Sequence, residues 1–169
     1  MAVEDRPAPP TGRVLCVPAS DEADEVTATM LALLLEQSGC VVLPFTRDPG
    51  LPQLALVQPS AGDIFCISAL PPFAFAHART LSSQLRARFP GIRIVVGVWG
   101  FSGATEQAME RFQTPRPEKL VTSMAAAIQA VMMPADTLTE GSCTRQRVGT
   151  GPAPIEGAFA YAVNPIPQE

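Results

Sequence analysis

Apolar residues fall along this chain in short blocks that alternate between two spacings. Residues 13–17, Arg-Val-Leu-Cys-Val, form an almost continuous apolar run closed by Pro18, which predicts a buried strand. The period then changes. Over 21–38, Val26, Met30, Leu33 and Leu34 recur every three or four positions and Gly39 follows, which predicts a helix with a glycine stop. The same alternation continues with strands at 40–44, 63–68, 92–97 and 119–122. Between and after them it predicts a weak helix around 51–57 and helices over 74–89, 105–112 and 123–132. In the 74–89 helix, Ala78, Leu81, Leu85 and Phe89 share one side.

Strands that alternate with crossover helices predict an α/β protein whose parallel sheet is covered on both faces. The expected arrangement is a flavodoxin-like three-layer sandwich with five strands in the order 2-1-3-4-5. That order puts a ligand crevice at the carboxyl ends of strands 1, 3 and 4, here residues 18–24, 68–73 and 98–103. Residues 1–12 are rich in proline and read as a flexible lead, and 13–133 as the domain. Over 134–169 the periodicity dissolves into Pro, Gly, Ser and Thr, so this part is expected to be largely disordered, with an interaction segment at 158–163, Ala-Phe-Ala-Tyr-Ala-Val.

With 169 residues, 47% of them hydrophobic, the chain has enough apolar material for one core. A net charge of −4 argues against a nucleic-acid surface, which needs clustered Lys and Arg to neutralise phosphate. No apolar run approaches the roughly 18 residues of a membrane span, and the N-terminus lacks a signal-peptide layout, so a cytoplasmic location is expected. Cys16, Cys40, Cys66 and Cys143 include no Cys-x-x-Cys pair. The first three lie in or beside apolar strand-like runs and read as buried thiols of a reducing compartment.

Residues 20–25, Ser-Asp-Glu-Ala-Asp-Glu, contain the four letters that bind the magnesium of ATP in RNA helicases. Those enzymes also need a G-x-x-x-x-G-K-[ST] phosphate loop and a second domain, and neither is present. The local reading is a helix start: Asp21 caps, Asp24 stands three positions on, and the carboxylates oppose the helix dipole favourably. The same carboxylates would repel the phosphate of flavin mononucleotide. A phosphorylated receiver domain needs an Asp at the end of strand 3, where Ile67 and Ser68 stand.

Ile67-Ser68-Ala69-Leu70 after strand 3 resembles the Ser-x-Leu element of cobalamin-binding domains, and Val96-Gly97-Val98-Trp99-Gly100 is similar to that family's glycine-containing turn after strand 4. The family's Asp-x-His-x-x-Gly motif would fall at Asp21-Glu22-Ala23-Asp24-Glu25-Val26, which holds neither His nor Gly. The resemblance therefore implies the fold without the lower histidine ligand to cobalt. Cobalamin as a cofactor would have to keep its own base. Residues 13–131 also resemble the soluble C-terminal module of some bacterial permeases of the autoinducer-2 exporter family. Matching stretches include Arg13-Val-Leu-Cys-Val-Pro-Ala19, Phe65-Cys-Ile-Ser68 and Leu85-Arg-Ala-Arg-Phe-Pro-Gly91. That likeness implies a non-enzymatic accessory or sensor module, with a membrane permease among the partners to consider.

The expected ligand site is the crevice of Ser20, Asp21, Ser68, Ala69, Leu70, Gly97 and Trp99. Trp99 and Phe101 bracket Gly100 and fit either a planar ligand's pocket or a hydrophobic patch for a partner or dimer. His77, the one histidine, has no evident ligating companions, so neither a metal site nor a Ser-His-Asp set assembles. Three functions remain open: ligand sensing in the crevice, corrinoid or tetrapyrrole binding without a lower His, and an interaction scaffold using Trp99, Phe101 and residues 159–163.

Overall fold

The structure is a computed structural model that describes residues 10–47, 54, 56–112 and 116–134. Five strands, β1 (Val14–Pro18), β2 (Val42–Pro44), β3 (Ile64–Ala69), β4 (Arg93–Val98) and β5 (Lys119–Val121), pair in parallel in the order β2-β1-β3-β4-β5. Among the described residues the helices with defined bounds are α1 (Glu22–Gln37), α2 (Ala74–Arg88), α3 (Thr105–Met109) and α4 (Met124–Met132). The expected flavodoxin-like three-layer sandwich is what forms.

The strand residues divide by parity. Leu15, Val17, Phe65, Ile67, Ile94 and Val96 face α2 and α3 and pack with Ala78, Leu81, Leu85 and Ala108. Val14, Cys16, Ile64, Cys66 and Val95 face α1 and α4. β1 and β3 are buried along their whole length, which is why their sequences are apolar runs rather than alternating patterns. Each fully buried Leu or Ile contributes roughly 1.5–3 kcal/mol relative to exposure. Gly39 (φ 91°) and Gly91 (φ 87°) follow α1 and α2 in the left-handed conformation that only glycine adopts readily, as the stop signals predict.

α1 differs from expectation in its rotation. The stripe Val26, Met30 and Leu33 is turned outward, 55%, 52% and 55% exposed, while Asp24, Ala28, Leu31, Ala32 and Leu35 are buried. Both sets have helical spacing, so periodicity alone does not separate them. The choice follows from Asp24: its carboxylate is tied to the backbone of the loop after β3, and positions four, seven, eight and eleven residues further on then face the sheet. Ala28 and Ala32 have no side chain beyond Cβ to hold the helix away from the strands, which Leu at those positions would do.

Other boundaries shift slightly. The strand expected at 40–44 begins at Val42, with Cys40 buried just before it, and the strand at 119–122 ends at Val121. The helix expected over 105–112 spans only Thr105–Met109, with Phe112 buried after it. Of the weak helix around 51–57, Leu54, Leu56 and Val57 are described and helical. Most of the expected lead (1–12) and nearly all of the expected tail (134–169), including the 158–163 segment, lie outside the described residues.

Two ion pairs fasten the loops at the amino ends of the strands. Asp63 accepts from Arg13 at its backbone N (2.9 Å), Nε (3.3 Å) and Nη2 (2.7 Å), and from the Ser60 N (2.9 Å). Burial by itself would raise the Asp63 carboxyl, but these donors outweigh it and hold the group below the ordinary aspartate value. Arg86 Nη2 donates to Glu118 Oε1 at 2.6 Å, and the other oxygen of Glu118 accepts from the Ile94 N at the start of β4.

Candidate functional site

The acidic cluster after β1 is a helix cap with a second task. Asp21 Oδ1 accepts from the Asp24 N (3.0 Å), and Asp24 Oδ2 accepts from the Asp21 N (3.4 Å), a reciprocal capping box. The other oxygen, Asp24 Oδ1, accepts from the Leu70 N at 2.7 Å. One carboxylate therefore joins the start of α1 to the loop after β3. Burial pushes the Asp24 carboxyl above its ordinary value, a shift that the N–H donors of Leu70 and Asp21 partly offset. The cap was legible in the sequence; the bond to Leu70 was not, because nothing local in 67–72 marks it. Ser20 and Asp21 themselves are exposed at the rim.

Further in, the expected crevice residues separate. Ser68 and Gly97 are partners in the β3–β4 register, and Ser68 also pairs with Pro18. They lie on the face turned to α1 and α4, in line with Cys66 and Val95, whereas Ala69 belongs to the opposite core. Trp99 is buried, 6% exposed, and its ring folds back over Gly97: a Cβ added there would come within 2.2 Å of Cζ2 and 2.3 Å of Cη2. The glycine is thus required for the approach of the chain's own indole. Trp99 is core, so of the two roles expected for it, lining a planar ligand's pocket or forming a hydrophobic patch for a partner or dimer, the surface patch does not form at this residue. Ser68 Oγ and Trp99 Nε1 are both buried without a hydrogen-bonding partner among the described residues.

Phe101 stacks edge-on against Phe75 (ring centroids 4.9 Å apart), with the Arg111 guanidinium 4.8 Å from the Phe75 centroid. Phe73, exposed, lies 6.0 Å from the His77 ring. Among the described residues no group of three His, Cys, Asp or Glu is placed to hold a metal ion. Burial pushes the Cys16 thiol up to about 12 and the Cys66 thiol well above its usual range, so at neutral pH neither is a thiolate. No histidine stands between β1 and α1, and the Trp99 ring lies over Gly97.

A different surface is open. The outward stripe of α1 lines a shallow groove of about 460 Å³ with Glu22, Glu25, Val26, Met30, Leu33 and Arg47. The Arg47 N donates to Glu25 Oε2 at 3.3 Å, which closes the groove's upper end against the loop after β2. The signal for it was present in the sequence: α1 carries more apolar positions than one buried face can take.

No protein-family model, no curated protein and no solved structure matches this chain. Among the described residues no helix is long and apolar enough to cross a membrane.

Proposed function

We propose that this chain is a cytosolic, non-catalytic regulatory module that docks a protein partner on the outer face of α1. The observation that carries the reading is the groove with Val26, Met30 and Leu33 more than half exposed along it. Three adjacent apolar side chains in water, rimmed by carboxylates, are the composition of an interface rather than of an ordinary solvated helix face. The resemblance to the permease-associated module suggests a membrane permease as the class of partner. A photo-crosslinking residue placed at position 30, with exposed position 84 on α2 as control, tests this in cells. The expected result is an adduct with one membrane protein at position 30 and none at 84. Equal labelling at both positions, or none at 30, would overturn it.

A second reading, small-molecule sensing in the crevice, is favoured by the unpartnered Ser68 Oγ and Trp99 Nε1. A ligand bearing hydrogen-bond acceptors would satisfy both if the indole swung off Gly97. Thermal unfolding with hydroxocobalamin, haem and flavin mononucleotide tests it, since a ligand at 100 times its Kd adds about 2.7 kcal/mol to the folded state. Unchanged melting together with unchanged emission from Trp99 would remove the crevice reading for these ligands.

A further inference from the structure

We infer that the partner element received by the outer face of α1 is an amphipathic helix with Lys or Arg beside its apolar stripe, packed on α1 as a short two-stranded coiled coil. This rests on the reading of that face as a docking surface and deepens it to a chemical class of partner.

The spacing of the exposed positions selects a helix as the occupant. α1 carries two seams. The inner one, Asp24, Ala28, Leu31, Ala32 and Leu35, is buried against the sheet. The outer one is Ala23, Val26, Met30, Leu33 and Gln37, all exposed, at steps of three, four, three and four residues. That is the a/d repeat of a coiled coil, the spacing at which side chains of one helix enter the holes of another. The residue before each a position is Glu22, Thr29 or Glu36, again exposed, and these g positions are where charge pairs form between helices. An extended strand repeats every two residues and matches neither row. Sixteen helical residues rise about 24 Å, so the seam holds a partner helix of about two heptads.

Charge selects a basic helix. Glu22 and Glu25 line one end of the groove together with Arg47, and Glu36 stands on the same flank of the stripe at the other end. Three carboxylates against one guanidinium leave this flank negative, so it attracts Lys or Arg. A second copy fits less well. An antiparallel pair sets Glu36 of the other copy beside each Glu22 and Glu25, with Arg47 the one cation among the described residues lining the groove. A parallel pair turns Thr27 and Leu34 of the other copy toward Glu22 and Thr29, and α1 itself contains no Lys or Arg. A helix that lies on an anionic membrane carries cations beside its apolar stripe, the opposite of what α1 carries.

The test uses the full chain with ¹³C-methyl methionine. Met30 is the one methionine among the described residues lining the groove, and Met124 and Met132 on α4 serve as internal references. Two synthetic helical peptides of about three heptads share Leu at a and d and differ only at e and g, with Lys in one and Glu in the other. The expected result is a saturable shift of the Met30 signal by the Lys peptide at concentrations about tenfold lower than by the Glu peptide, while the references stay in place. Glu22→Lys/Glu36→Lys should reverse that order, and Arg47→Glu should widen it. Equal titrations by the two peptides, an order unchanged in Glu22→Lys/Glu36→Lys, or a Met30 signal that neither peptide moves would overturn the inference. So would a Met30 signal that follows protein concentration alongside a dimer mass, which assigns the face to a second copy. Contacts from the Met30 methyl to the ring of Tyr161 in the free protein would overturn it as well, by assigning the face to the chain itself. The docking reading fails separately: crosslinking at position 30 tests it in cells whatever these peptides do.

Discussion

Replacing Gly97 by alanine probes how the crevice is filled. An alanine Cβ at 97 would stand 2.2 Å and 2.3 Å from two carbons of the Trp99 ring, against about 3.5–4.0 Å for an ordinary carbon contact. More than ~1 Å must be recovered, and β4 cannot supply it, since it is held between β3 and β5. The ring must leave its seat, so Gly97→Ala should destabilise by roughly 1–3 kcal/mol through overpacking. Trp99→Ala should cost about 3–5 kcal/mol through the cavity it leaves. In that background the obstacle is gone, and alanine at an extended position without positive φ should stabilise by about 0.4–1 kcal/mol through the unfolded chain. The same substitution is therefore expected to change sign between backgrounds, a coupling of roughly 2 kcal/mol or more. Urea unfolding followed by far-UV circular dichroism measures all four proteins. In the chains that keep it, emission from the single tryptophan reports the ring's surroundings directly. An equal cost of Gly97→Ala with and without Trp99 would refute the argument that the indole occupies this space.

Asp63→Asn should cost about 3 kcal/mol at pH 7, at the low end for a broken buried pair because the Arg13 side chain is 34% exposed. Because the folded-state value of Asp63 lies below the ordinary 3.8, its contribution is present above 3.8 and is lost as the pH falls below it. Acid titration of stability should accordingly be flatter in the variant. Leu31→Ala should cost roughly 2–5 kcal/mol, whereas Leu33→Ala, two positions away on the outer face, should stay within about 0.5 kcal/mol; equal losses in denaturant melts would contradict the rotation of α1. Iodoacetamide at pH 7.5 should leave Cys16 and Cys66 unmodified in the native protein and label both after denaturation, as peptide mass spectrometry would show.

The sheet was legible in the sequence because its signals are local: apolar runs closed by Pro18 and Pro44, and glycines 39 and 91 at the ends of the two long helices. The helix cap at Asp21 and Asp24 was legible for the same reason. What escaped depended on contacts across the chain. The rotation of α1 turns on a bond between residues 24 and 70, and the fate of Gly97 on where an indole two residues later comes to rest. Asp63 reads simply as the residue that opens a strand, and only the fold brings Arg13, fifty positions earlier, to it. From their place at strand ends Ser68 and Gly97 read as ligand contacts. The fold does place them side by side, but Ser68 is sealed inside and Gly97 is roofed by Trp99.

Both margins of the sheet are only three residues long, and each carries a residue unsuited to recruiting another strand. β2 ends in Pro44, which has no N–H to donate, and β5 begins with an exposed Lys119. A protein built this way gives a visiting peptide almost no ladder to join, and its copies little means of stacking into a continuous sheet. Recognition by backbone hydrogen bonding along an edge is thereby disfavoured, and association is left to side chains on helices. Specificity would then reside in the shape and charge of a few residues that can change without disturbing the layers beneath. A fold with blunted margins and one apolar helix face can acquire new partners by surface substitution alone.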